Sequence, residues 1–125
     1  MPLRAGDTFL AQLPDGSTVN HLCLCITDSG GLMSTVFVVA VMTPTPKSDR
    51  TTMLPTTACP DFLQYESIVA YHTLIERESD LVDSVIVKRF SPLPPEDLGR
   101  VVAGVFQSPL TPKGVRQALK DRLAE

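Results

Sequence analysis

His21-Leu22-Cys23-Leu24-Cys25-Ile26, Asp28-Ser29-Gly30-Gly31 and Thr35-Val36-Phe37-Val38-Val39-Ala40-Val41 are the consecutive stretches that decide the fold. Two short apolar runs flank a polar break. Both runs are too short for a typical helix and end in turn formers, so they read as the strands of a β-hairpin. Their unbroken apolarity predicts burial on both faces. The second run, 34–42, is rich in β-branched residues and suits the centre of a sheet. It stops at Met42-Thr43-Pro44 and opens into a polar loop reaching Arg50 and Thr52. Pro44 and Pro46 cannot continue a ladder there.

Further strands are expected on either side of this hairpin. Thr8 to Leu13 reads as a first strand, closed by a Pro14-Asp15-Gly16-Ser17 turn. Thr51 to Leu54, Ser67 to Ile75 and Asp83 to Phe90 read as the remaining strands. The chain changes character at Ser91-Pro92-Leu93-Pro94-Pro95. Beyond it, Leu98, Val101, Val102, Val105 and Phe106 recur at helical spacing. Pro95 suits the first turn of that helix, and Glu96 and Asp97 suit its positive end. A second helix is expected with Thr111 as its N-cap, Pro112 at its first position, and Val115, Leu119 and Leu123 on its apolar side. No helix separates the strands, so parallel crossover units are not expected. The economical solution is mainly β with C-terminal helices: a small antiparallel SH3-like barrel plus two α-helices. It forms a single domain over 1–125, with the barrel at about 6–90 and the helical tail at about 95–123.

Composition supports a packed domain. Hydrophobic residues make up 43% and charged residues 20%, enough apolar surface for a core and too little charge for disorder. The net charge of -3 supplies no global field for nucleic acid, so any such site must be a local patch. No apolar run approaches the roughly 18 residues of a membrane span. The N-terminal residues lack the apolar region of a secretion signal, and the cysteines, Cys23, Cys25 and Cys59, are odd in number. Both features point to a reduced, cytoplasmic setting.

Three constellations bear on chemistry. His21, Cys23 and Cys25 share one face of a strand and, with Cys59 and His72, form a nominal zinc set. Alternate strand residues spread their side chains about 7 Å apart, which favours buried cysteines over ligands. No metal or cofactor is therefore expected. Cys59, before Pro60, is a candidate nucleophile if exposed beside a base. The third set is mounted on the loop: His21, Thr43, Arg50 and Thr52, with Ser67 and His72 as outer candidates. Metal-independent RNA cleavage needs a base for the ribose 2′-OH, a cation for the phosphorane and an acid for the leaving oxygen. His21 can serve as base or acid, Arg50 as phosphate clamp, and Thr43 or Thr52 as hydroxyl donor. The plain structural readings are a satisfied histidine at a strand start for His21, a solvated loop charge for Arg50 and a turn residue before Pro44 for Thr43. No phosphate-binding glycine loop, nucleophile elbow, zinc-protease motif or Cys-x-x-Cys occurs.

Several of these features together resemble the MazF/PemK-like toxin endoribonucleases and the related CcdB-like barrels. They are Gly6-Asp7 before the first strand, Ile26-Thr27-Asp28 ending the second, Val41-Met42-Thr43 ending the third, Ser67-Ile68-Val69-Ala70, and the helical tail after Pro94-Pro95-Glu96-Asp97-Leu98. The resemblance covers roughly 6–106 as a pattern of elements with few identities. It implies a toxin-like homodimer of a toxin-antitoxin type system, cutting single-stranded RNA and bound by a helical antitoxin-like partner. Thr43 matches the second catalytic residue of that family. The family's arginine position is occupied by Asn20-His21-Leu22, which makes His21 its positional replacement. Arg50 and Thr52 have no family counterpart and rest on chemistry alone. The alternative is a non-catalytic protein-interaction module on the same barrel, of plasmid, phage or mobile-element origin.

Overall fold

The computed structural model describes residues 2–12, 19–29 and 34–125. The turn expected at 14–17 and the Gly30-Gly31 half of the hairpin loop lie outside these residues. Six strands are seen: β1 Thr8–Ala11, β2 His21–Cys25, β3 Thr35–Met42, β4 Met53–Leu54, β5 Ser67–Glu78 and β6 Ile86–Arg89. Three helices accompany them: α1 Ser79–Ser84, α2 Pro95–Gln107 and α3 Lys113–Leu123. The strands form one antiparallel sheet in the order β4-β5-β3-β2-β1-β6, curled into a half-barrel.

Among the described residues the ladder does not close. β4 and β6 are the two edges, and among the described residues they do not pair. β4 is only two residues long, so it offers little backbone for a partner strand. The segment 55–66 bridges the gap with side chains instead. Phe62 and Leu63 are buried in the main core, and the Phe62 ring packs 5.5 Å from that of Phe90, just past β6. Asp61 accepts hydrogen bonds from the Ser91 N–H (2.9 Å) and hydroxyl (2.7 Å).

Both faces of the central strands are buried, as the apolar runs predict. One face carries Leu24, Phe37, Val39, Val41, Val69 and Tyr71, covered by α2 and α3. The other carries Phe9, Ala11, Cys23, Cys25, Val36 and Val38, closed by Leu3 and by Val82 of α1. Both strand cysteines are therefore core residues. Arg122 fastens α3 to the sheet: its guanidinium donates to Thr35 O (2.7 Å), Thr35 Oγ1 (3.0 Å) and Asp28 O (2.9 Å). The first turn of the chain needs Gly6, whose φ of 96° would strain a side chain and whose Cβ would sit 3.2 Å from Leu93 O.

Three expectations are corrected. β5 runs to Glu78, and residues 79–84 form α1 where a strand was expected to begin at Asp83. A helix this short spans under two turns, too few for a periodic signal. Thr111 does not cap α3: Pro112 occupies that place, and the buried Thr111 hydroxyl makes no hydrogen bond. Phe106 does not join the core but stands 41% exposed at the end of α2.

Burial inside this sheet makes stability depend on alkaline pH. Desolvation pushes the Cys25 thiol from 9.0 to about 12, against the lowering effect of the hydrogen bond it donates to Thr27 O. Desolvation likewise raises Tyr71 from 10.0 to about 12. Their folded values lie above the unfolded ones, so the stabilisation is complete below the unfolded values and is lost as pH rises through the folded ones. Urea midpoints are therefore expected to fall as pH climbs from 9.0 towards about 12, and less steeply in Cys25→Ala. A profile that is flat over this range, or unchanged by the substitution, contradicts this account.

Candidate functional site

The strand register separates the residues singled out in the sequence. Leu22 faces Val41 across β2 and β3, and Leu22 and Val41 belong to the face covered by α2 and α3. Side chains alternate along a strand. His21 therefore points to the face of Cys23 and Cys25, while Thr43, two beyond Val41, stays on the opposite one. Thr52 is 3% exposed under α2, and its Oγ1 lies 2.7 Å from Tyr71 Oη. Tyr71 donates onward to Val101 O at 2.7 Å, which leaves Thr52 as the donor to Tyr71. Arg50 is exposed, reaches back to Ser48 O at 3.4 Å, and lines neither cleft described next. Cys59, expected to be exposed if reactive, is 2% exposed. Burial first, then the hydrogen bond to Asp61, pushes its thiol up to about 11, so it lacks the thiolate character of a nucleophile.

Two clefts meet at Thr43, which lines both. The larger, about 460 Å³, has an apolar floor of Leu10, Leu22, Val41, Phe62 and Phe90. Its rim carries Tyr65, 67% exposed, together with Gln64 and Lys88, whose ammonium stands 5.2 Å over the Phe90 ring, and the buried Ser67 lines it from within. Asp61 is also on this rim, and the Ser91 hydrogen bonds hold its carboxyl below the usual carboxylate range.

The smaller cleft, about 270 Å³, gathers Thr43, Thr45, Lys47, Ser48, Asp49 and His72. His72 reaches it through an irregularity in β5. There Ala70 to Ile75 spans what β3 covers from Ala40 to Val38. The Thr73 hydroxyl fills the gap in the ladder, accepting from Ala40 N–H at 2.9 Å and donating to Ala70 O at 2.6 Å. Tyr71 and Leu74 stay buried while His72 is thrown outward. Opposite it, the 43–52 loop is pinned at both ends. Thr45 N–H donates to Ser48 Oγ at 2.8 Å, and Asp49 accepts from the Thr51 N–H (3.0 Å), the Thr51 hydroxyl (2.6 Å) and the Ser108 hydroxyl. Burial alone would raise the Asp49 carboxyl. The hydrogen bonds from Ser108 and Thr51, with a contribution from the charge of His72, outweigh it and hold the carboxyl below its usual range. Asp49 is thus a fixed negative charge facing His72.

Of the four principal candidates, the structure brings only Thr43 to these clefts, together with the outer candidates Ser67 and His72. Lys47 and Asp49 were visible only as part of a polar loop, and nothing near them in sequence announces a partner at 72. Among the described residues, no three His, Cys, Asp or Glu side chains are placed to hold a metal ion. No family model matches the chain, and no curated protein matches it in sequence.

Proposed function

We propose that this protein is a toxin-like, metal-independent endoribonuclease that threads single-stranded RNA past Thr43, with a base in the larger cleft and the scissile phosphate in the smaller. The observation that carries this reading is the shared position of Thr43, between an aromatic cleft with a lysine and a polar cleft with His72, Lys47 and Asp49. Tyr65 offers an exposed π surface for an unstacked base, and Lys88, over the Phe90 ring, offers charge to a backbone phosphate. The resemblance to MazF/PemK-like toxins supports Thr43 independently of the clefts.

His72 takes the proton of the ribose 2′-OH, and the oxygen attacks the adjacent phosphorus. The P–O5′ bond breaks, water or Lys47 returns a proton to O5′, and a 2′,3′-cyclic phosphate is left. Lys47 and the Thr43 hydroxyl stabilise the charge on the non-bridging oxygens. Asp49, whose oxygens are held by Thr51 and Ser108, balances the positive charge of the imidazole from across the cleft during transfer. His72 takes the role of base first assigned to His21, because His21 faces away from Thr43. A homodimer and a helical antitoxin-like partner belong to the same reading.

The test is incubation of purified protein with single-stranded RNA in a chelator, following cyclic-phosphate ends. Thr43→Ala is expected to slow cleavage by about 10²-fold or more, the usual effect of removing one transition-state donor. Wild-type protein that neither binds nor cuts RNA overturns the proposal and leaves the interaction module as the better reading.

A further inference from the structure

We propose that the groove between the end of α2 and the outer side of α3 docks an acidic amphipathic helix of a partner protein. The groove is about 480 Å³ and is lined by Phe106, Arg116, Gln117, Lys120 and Leu123. None of these lines either cleft at Thr43, so the surface is independent of the proposed RNA site.

Three observations specify the occupant. The first is charge: the groove carries two cations and no carboxylate, although the whole chain has a net charge of -3. The nearest acidic groups in sequence, Asp121 and Glu125, do not line it: Asp121 accepts from Gln117 Nε2 at 3.0 Å, and Glu125, just past α3, lies 3.7 Å from Arg122 Nε. The second is apolar exposure: Phe106 is 41% and Leu123 51% exposed, flanking the cations. The third is shape. Arg116, Lys120 and Leu123 recur at i, i+4 and i+7, a stripe about 10 Å long at a rise of about 1.5 Å per residue. Both walls are helical and no strand edge borders them, so a helix in a groove is the fitting mode rather than strand addition. Arg116 is held ready, with Nη2 donating to Ser108 O at 3.1 Å and lying 3.5 Å from Thr111 O. A carboxylate meeting it costs little ordering of the arginine.

The probe is a labelled, helix-stabilised peptide with leucines at i, i+3 and i+7 flanked by glutamates, titrated into the full-length protein and followed by anisotropy. Saturable binding is expected, weakened about tenfold by Lys120→Glu and recovered when the peptide's glutamates are exchanged for lysines. Lys120 is exposed, so this substitution leaves the fold intact, which circular dichroism verifies. Absence of binding, or equal binding to wild type and Lys120→Glu, overturns the proposal. So does a dimer in size-exclusion chromatography that Leu123→Glu dissolves, because a second copy then covers the groove. RNA cleavage is not read in this experiment, so its failure leaves the proposed RNA site standing.

Discussion

Gly104→Ala is expected to cost about 3 kcal/mol of stability. A Cβ at Gly104 would lie 2.0 Å from Tyr71 Oη and 2.3 Å from Thr52 Oγ1, far inside contact distance. Those hydroxyls cannot step aside cheaply. The Tyr71 ring is fully buried, and its hydroxyl is committed to Val101 O on the same helix. Either α2 lifts off the sheet, loosening Val101 and Val105, or the Thr52–Tyr71–Val101 chain breaks and leaves buried hydroxyls unpaired. Overpacking of this kind costs about 1–3 kcal/mol, and an unpaired buried hydroxyl adds about 1–3 kcal/mol. Gly99, on the exposed side of the same helix, has nothing within 4 Å of its would-be Cβ. Gly99→Ala should therefore stabilise by about 0.5–1 kcal/mol through helix propensity alone. Urea denaturation of both variants checks the pair, and combining Gly104→Ala with Tyr71→Phe should recover part of the loss. Equal stability of Gly104→Ala and wild type would mean that α2 does not rest on this hydroxyl chain.

His72→Ala is expected to lower RNA cleavage by a factor on the order of 10²–10⁴, the range for loss of a positioned general base. The side chain is exposed, so the denaturation midpoint should stay near that of wild type. His21→Ala is the informative control, because the register puts His21 on the face away from Thr43. If cleavage falls with His21→Ala and not with His72→Ala, the base lies on the other side of the sheet and the proposed mechanism is wrong. If both variants keep full activity, neither imidazole is the base.

Different kinds of signal account for what could be read before the fold was known. The strands at 21–25 and 35–42 were legible because β-branched and apolar residues ran without helical spacing between turn formers. α2 was legible because Leu98, Val101 and Val105 keep helical spacing after a proline-rich joint. α1 was not, since six residues hold too little periodicity. The loop closure of the half-barrel was not legible either. Phe62, Leu63 and Asp61 sit in an irregular segment, and their partners Phe90 and Ser91 are about thirty residues away.

The site divides in the same way. Thr43 could be singled out from local order, at the end of a strand and the mouth of a polar loop. His21 was singled out by the same reasoning and lies on the wrong face for that cleft. Pairing Leu22 with Val41 rather than with a neighbour of Val41 is settled by which apolar faces meet α2 and α3, and a shift of one residue reverses every side chain. His72 depends on the bulge that Thr73 creates in β5, a feature set by a hydroxyl replacing a ladder partner across the sheet.

By itself, then, the sequence determined the element types, the burial of both sheet faces and the break in character at 91–95, because these follow from local chemistry and spacing. Only the tertiary structure decided which polar side chains meet. Strand register, the β5 bulge and the docking of α2 on Gly104 arise from contacts between distant segments, and no single segment encodes their relative alignment.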